Sequence, residues 1–289
     1  MPRETPDFIE REDAPMRHAP SLHALLTATA MLALASCAAP VSQTPGIDRT
    51  ELSREAQTQA EMAKRGREAS VSTSSASMAD RQKRLAPIVR RVTEAGKQFC
   101  GRFVKVKGDC VYPVEIESKG VLNAYANGQK MVVDAKMMDF LASDDELAAV
   151  VAHEYAHNLM NHVGNTQQNV MAGGLLGTVA DMLAASQGID SGGQFGKLGA
   201  QGAHMMYSKD FEREADYVGM YILYLAGYNI DNVAGMWRRM SVENPNSIYV
   251  GSTHPVNPER YLLLQKTAEE IKAKKASGQN IQPALKPKD

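Results

Sequence analysis

Two histidines four residues apart, with a glutamate beside the first, sit in "VVAHEYAHNLMNH" (residues 150–162), a stretch otherwise too apolar to welcome three ionisable groups. On an α-helix, positions i and i+4 lie about 40° apart around the axis and about 6 Å along it, so His153 and His157 project one above the other and can grip one ion. Zinc suits them, because neutral imidazole nitrogens ligate it without burying two imidazolium charges, and the cation makes a nearby carboxylate favourable. Glu154 lies one residue round, placed to reach a water beside the metal without ligating it. The pattern is HExxH.

The helix that carries it is expected to start at Ser143, since Ser143 to Glu146 (Ser-Asp-Asp-Glu) is a capping box with acids facing the positive end of the helix dipole. It should run to about Val163. Leu147, Val150, Val151, Tyr155, Leu159 and Met160 cover much of its circumference, which predicts burial on most sides. The continuation HExxHxxGxxH fails, because Met160 and Val163 stand where glycine and histidine belong. His162 falls about 140° round from His157 on such a helix and is expected to pack or hydrogen-bond elsewhere.

A third ligand is sought in "SKDFEREADYVGMYILYLAGY", Ser208 to Tyr228, whose apolar spacing predicts a second buried helix ending at Gly227. Glu212 and Asp216 share a face there while Glu214 points the opposite way, so one of the first two could bind the metal and the other orient a ligating imidazole. The competing reading of "KDFERE" is an exposed, charged first helical turn.

Other features bound the setting. A net charge of -1 from 32 basic and 33 acidic residues gives no field to gather nucleic acid, and none is expected as a partner. An apolar run from about Leu22 to Cys37, preceded by Arg17, is roughly 15 residues, short of the ~20 that span a bilayer, and reads as a secretory signal over residues 1–36. Residues 1–15 carry five acids against two arginines, so translation is expected to start at Met16. Leu34-Ala35-Ser36-Cys37 resembles a bacterial lipobox, which implies cleavage before Cys37 and its lipidation. Ala38 in the next position points, by the same resemblance, to the periplasmic face of the outer membrane. In that oxidising compartment Cys100 and Cys110 are expected to form a disulfide across a hairpin carrying Phe103, Val104 and Val106.

Residues 37–80 read as a flexible polar tether, with a possible charged helix from Thr50 to Arg67, and residues 277–289 as a disordered tail. An amphipathic helix from Arg81 to Cys100 opens the folded domain, 81–276. In "NAYANGQKMVVD" (residues 123–134), Asn127-Gly128 signals a two-residue turn between short strands. The segment 170–206, rich in Gly, Ala and Met, has two readings: a mobile gate or membrane-dipping hairpin, or a buried helical pair with a Gly-Gly turn. The second is favoured, since small residues permit close packing. His204 within it reads as an ordinary residue.

Four runs in order, "NAYANG", "DDELAAVVAHEYAHNLMNH", "FEREADYVGMYILYLAGY" and "STHPVNPER", resemble the family of membrane-associated zinc endopeptidases that includes HtpX, BepA, LoiP, YcaL and the CAAX prenyl protease. The resemblance covers about Arg81 to Leu264. It implies an α+β fold, mainly helical with a small antiparallel sheet of hairpins beside the motif helix, and one zinc ion held by His153, His157 and Glu212. It further implies catalysis by Glu154, support from Asp216, and a role for His254 in steadying the oxyanion or capping the zinc; the alternative for His254 is a turn residue before Pro255. Arg260 fits the family's HPxxxxR spacing without an assigned role. The implied function is hydrolysis of unfolded or misassembled envelope proteins, with envelope assembly machinery as a possible partner, and the rival is a latent adaptor lipoprotein that keeps the metal without turnover.

Overall fold

The computed structural model describes residues 38–66, 76–103, 108–248 and 257–286, without the side chains of 202–208. Its helices are α1 (Arg49–Gly66), α2 (Met78–Gly96), α3 (Ala135–Phe140), α4 (Asp144–Leu159), α5 (His162–Ser186), α6 (Gln194–Leu225), α7 (Gly235–Glu243) and α8 (Asn257–Ala276), with 3-10 turns at Lys97–Phe99 and Pro245–Ile248. Three strands, β1 (Val114–Glu117), β2 (Ala124–Ala126) and β3 (Met131–Asp134), complete an α+β fold.

Short oxygen-bearing side chains start the two helices that frame the core. Ser77 accepts from the Asp80 amide at 3.1 Å at the head of α2, and Ser143 from the Glu146 amide at 3.2 Å at the head of α4. Glu146 departs from the expected box, reaching past the cap to the Ala142 amide at 2.7 Å and pairing with Arg239 at 2.6 Å. Along α2, Leu85, Ile88, Val92 and Ala95 recur at helical spacing and turn inward. They pack on α4, which is buried from Glu146 through Leu159 because α2, α6 and the sheet surround it.

The sheet is mixed, where hairpins alone had been expected. Its order is β1-β3-β2: β3 runs antiparallel to β2, with Ala124 opposite Val133, but parallel to β1, with Val114 opposite Met131. Strand patterning locates such segments, but the side on which a separate strand joins is a long-range choice. The turn is also displaced by one residue. The Asn127 amide donates to the Lys130 carbonyl at 3.1 Å, so Gly128 and Gln129 form its centre, with Gly128 at φ +90°. No hairpin strands appear among the described residues of 100–110, whose flanks are turns and bends and whose residues 104–107 lie outside the description. The structure joins Cys100 to Cys110, Cα to Cα 5.9 Å apart.

Four boundaries differ from those expected. The motif helix ends at Leu159 instead of about Val163, because Asn161 takes a left-handed conformation (φ +55°) that redirects the chain into α5. Helix α6 begins at Gln194, fourteen residues before Ser208, so Glu212, Glu214 and Asp216 lie in its middle and all three are buried. Residues 38–66 are integrated with the fold where a tether had been expected. Helix α1 covers α7 and α8 through Glu55, paired with Arg238 at 2.7 Å, and through Gln59, bonded to Ser241. The tail is docked as well: the Gln43 amide donates to the Ala284 carbonyl (2.8 Å) and the Lys286 amide to the Val41 carbonyl (2.9 Å).

Helices α5 and α6 form the pair expected of the glycine-rich segment, with Gly192 and Gly193 both at positive φ in the connection. They pack closely. A Cβ on Gly177 would overlap the Phe195 carbonyl, and one on Gly199 the Gly173 carbonyl. The pair is not buried as expected, since Met171, Leu175, Met182, Leu183, Ile189 and Leu198 are exposed.

Candidate metal centre

Helix α4 carries His153, Glu154 and His157, and the first two line a cleft of about 130 Å³. The His153 and His157 Nε2 atoms face each other at 3.0 Å, as the i, i+4 spacing requires. Helix α6 brings the third group: Glu212 Oε1 lies 3.1 Å from His157 Nε2, and Oε2 3.3 Å from His153 Nε2. This approach depends on Gly219, where a Cβ would stand 3.2 Å from the Ala152 carbonyl oxygen and from the His153 backbone. The three groups are buried, and their ligand atoms lie within 4.8 Å of one another.

The donor set fits zinc. Two imidazole nitrogens and a carboxylate are its usual ligands, and tetrahedral bonds of about 2.0–2.1 Å place neighbouring ligand atoms roughly 3.3 Å apart, close to the spacings here. The surroundings also hold each imidazole with its Nε2 lone pair turned inward. Asp216 Oδ1 accepts from His153 Nδ1 at 2.9 Å and is itself gripped at both oxygens by Arg260, Nη2 to Oδ1 at 2.5 Å and Nε to Oδ2 at 2.8 Å. The Arg260 guanidinium stacks 3.8 Å above the Trp237 ring. Burial and Arg260 both press the His153 imidazole down, but Asp216 and Glu212 together outweigh them and hold it at about 9, so an ion binding there would have to displace the Nε2 proton, leaving Nδ1–H on Asp216. Burial raises Asp216, and Arg260 and His153 overcome this to leave it below the usual carboxylate range.

His157 is held by a chain that the helical-face argument missed. Its Nδ1 lies 3.0 Å from His162 Nδ1, and His162 Nε2 lies 2.9 Å from Glu214 Oε2. Burial, helped by His157, pushes His162 down to about 4 against the pull of Glu214, so its ring is neutral near pH 7. A neutral ring donates from Nε2 to Glu214 and accepts at Nδ1 from His157, which leaves the His157 Nε2 lone pair for a metal. Glu214 Oε1 in turn accepts from the Ser42 amide at 2.5 Å. Glu214 does point away from Glu212 and Asp216, as its spacing indicates, but the face it points to is buried around His162. No signal in the chain pairs these two. Their meeting depends on the break at Asn161.

Asn158 was also missed, although it follows His157 directly. Its Oδ1 accepts from the Gly128 amide at 2.7 Å and its Nδ2 donates to the Lys130 carbonyl at 3.2 Å, so the motif helix carries the β2–β3 turn. Strand β2 pairs only with β3 among the described residues, and Leu122, Asn123 and Ala124 line the cleft beside Glu154. Cys37 and His254 lie outside the described residues.

The sequence pattern that defines Peptidase family M48 matches residues 80–268, a span holding every group just described. The chain belongs to peptidase family M48. Its M48 relatives include the mitochondrial metalloendopeptidase OMA1 of Schizosaccharomyces pombe, 24% identical over 199 residues (66% of this chain, 58% of that protein), and its namesake in Saccharomyces cerevisiae, 29% identical over 140 residues (46% and 39%). The beta-barrel assembly-enhancing protease of Yersinia pestis is 24% identical over 163 residues, 52% of this chain and 33% of that protein. The chain thus matches from about a third to three-fifths of these relatives' lengths.

Proposed function

We propose that this M48 metallopeptidase is a zinc-dependent endopeptidase of the bacterial envelope that cleaves unfolded or misassembled proteins. The observation that carries the reading is the convergence of His153, His157 and Glu212 on one point, with His153 and Glu154 lining the cleft and β2, paired only with β3 among the described residues, at its side. His153, His157 and Glu212 would hold the ion. Zinc bound there supplies Lewis acidity, which makes a water acidic near neutral pH and polarises a carbonyl. Glu154 accepts the proton of the attacking water and returns it to the departing amine. Asp216 with Arg260, and His162 with Glu214, keep the two imidazoles in the ligating tautomer. An extended peptide can add to the edge of β2 by backbone hydrogen bonds, a mode open to unfolded segments and closed to folded ones.

The setting rests on lighter support. The Cys100–Cys110 bond suits an oxidising compartment, the lipobox-like run ending at Cys37 suits a lipid anchor, and the name of the Yersinia pestis relative suits an outer-membrane role with assembly machinery nearby. His254 is assigned the oxyanion or zinc-capping role on its sequence position alone. Cleavage of casein by the purified chain tests the activity. Glu154→Gln should retain zinc and lower turnover by about 10²–10⁴-fold, and chelation should abolish it. Zinc-loaded wild type no faster than Glu154→Gln, even with His254→Ala, would favour the adaptor reading.

A further inference from the structure

The cleft extends to one side of the metal site. On α4 it is lined by Ala149, Val150, His153 and Glu154, and on α6 by Asp216, Gly219, Met220 and Leu223; His157 and Glu212 do not line it. The two helices are antiparallel, since His157 meets Glu212 and His153 meets Asp216. From His153 the cleft therefore follows α4 back towards its start and α6 on towards its end, a recess reaching about 6–10 Å along the helices.

That recess is apolar. Met137, Val150, Met220, Leu223, Met236 and Leu264 wall it, each more than nine-tenths buried, and Asn244, Ser247 and Asn257 add uncharged polar atoms. Among the described residues its charged lining is His153, Glu154, Asp216 and Arg260; all stand at the metal end, where Arg260 grips Asp216. A charged tip carried past them would be buried without a partner, which is costly. The volume of about 130 Å³ is close to the roughly 150 Å³ of a cavity that takes benzene, so there is room for one large side chain. Four of the walls, Met137, Met220, Met236 and Met240, are methionines from three helices. Unbranched and flexible, they re-pack around apolar groups of different shape.

One wall is α7, and α1 decides where it stands. Met236, Trp237 and Met240 lie on the face of α7 turned to the cleft, and Arg238, Ser241 and Val242 on the opposite face, turned to α1. Glu55 of α1 holds Arg238 with both oxygens, Nε to Oε1 at 2.8 Å and Nη2 to Oε2 at 2.7 Å. Gln59 bonds Ser241, and Gly66 lies so close to Val242 that a Cβ there would overlap it. A bidentate pair fixes angle as well as position.

We propose that this recess is the subsite for the side chain of a residue flanking the scissile bond, that it takes large uncharged side chains of varied shape, and that Glu55 is a positioning residue for it, acting through Arg238 and α7. The proposal rests on the endopeptidase reading given above.

The test uses the purified full chain and decapeptides of serine and glycine with one Leu, Phe, Met, Ala, Glu or Lys at the centre. In the zinc-loaded protein, kcat/KM for cleavage at a bond flanking that residue, located by mass spectrometry, should be at least about tenfold higher for Leu, Phe and Met than for Ala, and lower still for Glu and Lys. Met240→Trp, which fills the recess, should bring the Leu-over-Ala ratio to within about twofold of unity. Glu55→Gln should lower that ratio at least about threefold through KM, with zinc affinity as in wild type. Gln59→Met, which loses the bond to Ser241, carries the same test should Glu55→Gln not fold. A fall in kcat shared by all peptides, with the ratio kept, overturns the positioning role. Trp237 is the only tryptophan of the chain, so its emission reports occupancy without turnover. In Glu154→Gln the Leu peptide should shift that emission at a concentration at least about tenfold lower than the Ala peptide. Cleavage of every peptide at one rate overturns the subsite and leaves the endopeptidase standing. A selective Trp237 response with no cleavage of these peptides or of casein keeps the recess as a side-chain site and overturns the endopeptidase reading; neither response nor cleavage overturns both.

Discussion

The histidine that distinguishes this centre is His162, which lies outside HExxH and reaches the site through His157 Nδ1. Burial holds its ring down to about 4 in the fold, against roughly 6.5 in the unfolded chain. Between those values the unfolded chain binds a proton that the fold refuses, so the stability at stake is complete above pH 6.5 and falls as the pH drops towards 4, by about 3 kcal/mol across the window. Urea unfolding of the chelated protein near pH 7 and about pH 5 checks this. His162→Gln should show a smaller difference between the two midpoints than wild type, and an unchanged difference would show that another group sets the acid limb. The HExxH residues were legible because i, i+4 geometry is local. His162 was placed away from the site, since a helix continued through Asn161 would have carried it round to another face.

At the scale of elements, the decisive contact is the crossing of α6 over α4 at Gly219. A methyl group there would press on the Ala152 and His153 backbone at 3.2 Å, and backbone cannot swing aside as a side-chain tip can. Gly219→Ala should destabilise the fold by about 1–2 kcal/mol. It should also weaken zinc binding, because Glu212 and Asp216 ride on the helix that is pushed away; competition with a chromogenic chelator measures this, and unaltered affinity would mean that α6 absorbs the shift elsewhere. The apolar spacing of α6 was readable from its sequence, and so was the pairing of Glu212 with Asp216 on one face. Its true start was not, because a glycine-rich stretch of weak helix formers becomes helical here through close packing against α5.

For the molecule as a whole, closure depends on segments far apart in the chain. Cys100–Cys110 ties the end of α2 to the approach to β1, and Tyr155 of the motif helix donates to the Cys110 carbonyl at 2.6 Å. Replacing both cysteines by serine should cost about 2–3 kcal/mol for so short a loop. Guanidinium unfolding with and without reductant reads this: wild type should lose that amount on reduction and the double variant nothing. The N- and C-terminal segments close over Glu214, where Ser42 pairs with Leu285 and also donates to the carboxylate that holds His162. Composition marked these segments as polar and short of a core, which is true of each alone. Docked together on α6, α7 and α8, they find the partners that neither carries.

By itself the sequence determined what is local and periodic: the capped, buried motif helix, the two imidazoles on one face, the second helix with Glu212 and Asp216 aligned, and the short strand pair beside them. These follow from 3.6-residue and two-residue periods, which any stretch expresses through its own side chains. Tertiary structure alone decided that β1 joins β3 in parallel, that Glu214 reaches His157 through His162, that Arg260 braces Asp216, and that Asn169 of α5 clamps Ala38. Each of these joins residues from separate elements, and such contacts depend on how whole elements cross, which no local period encodes.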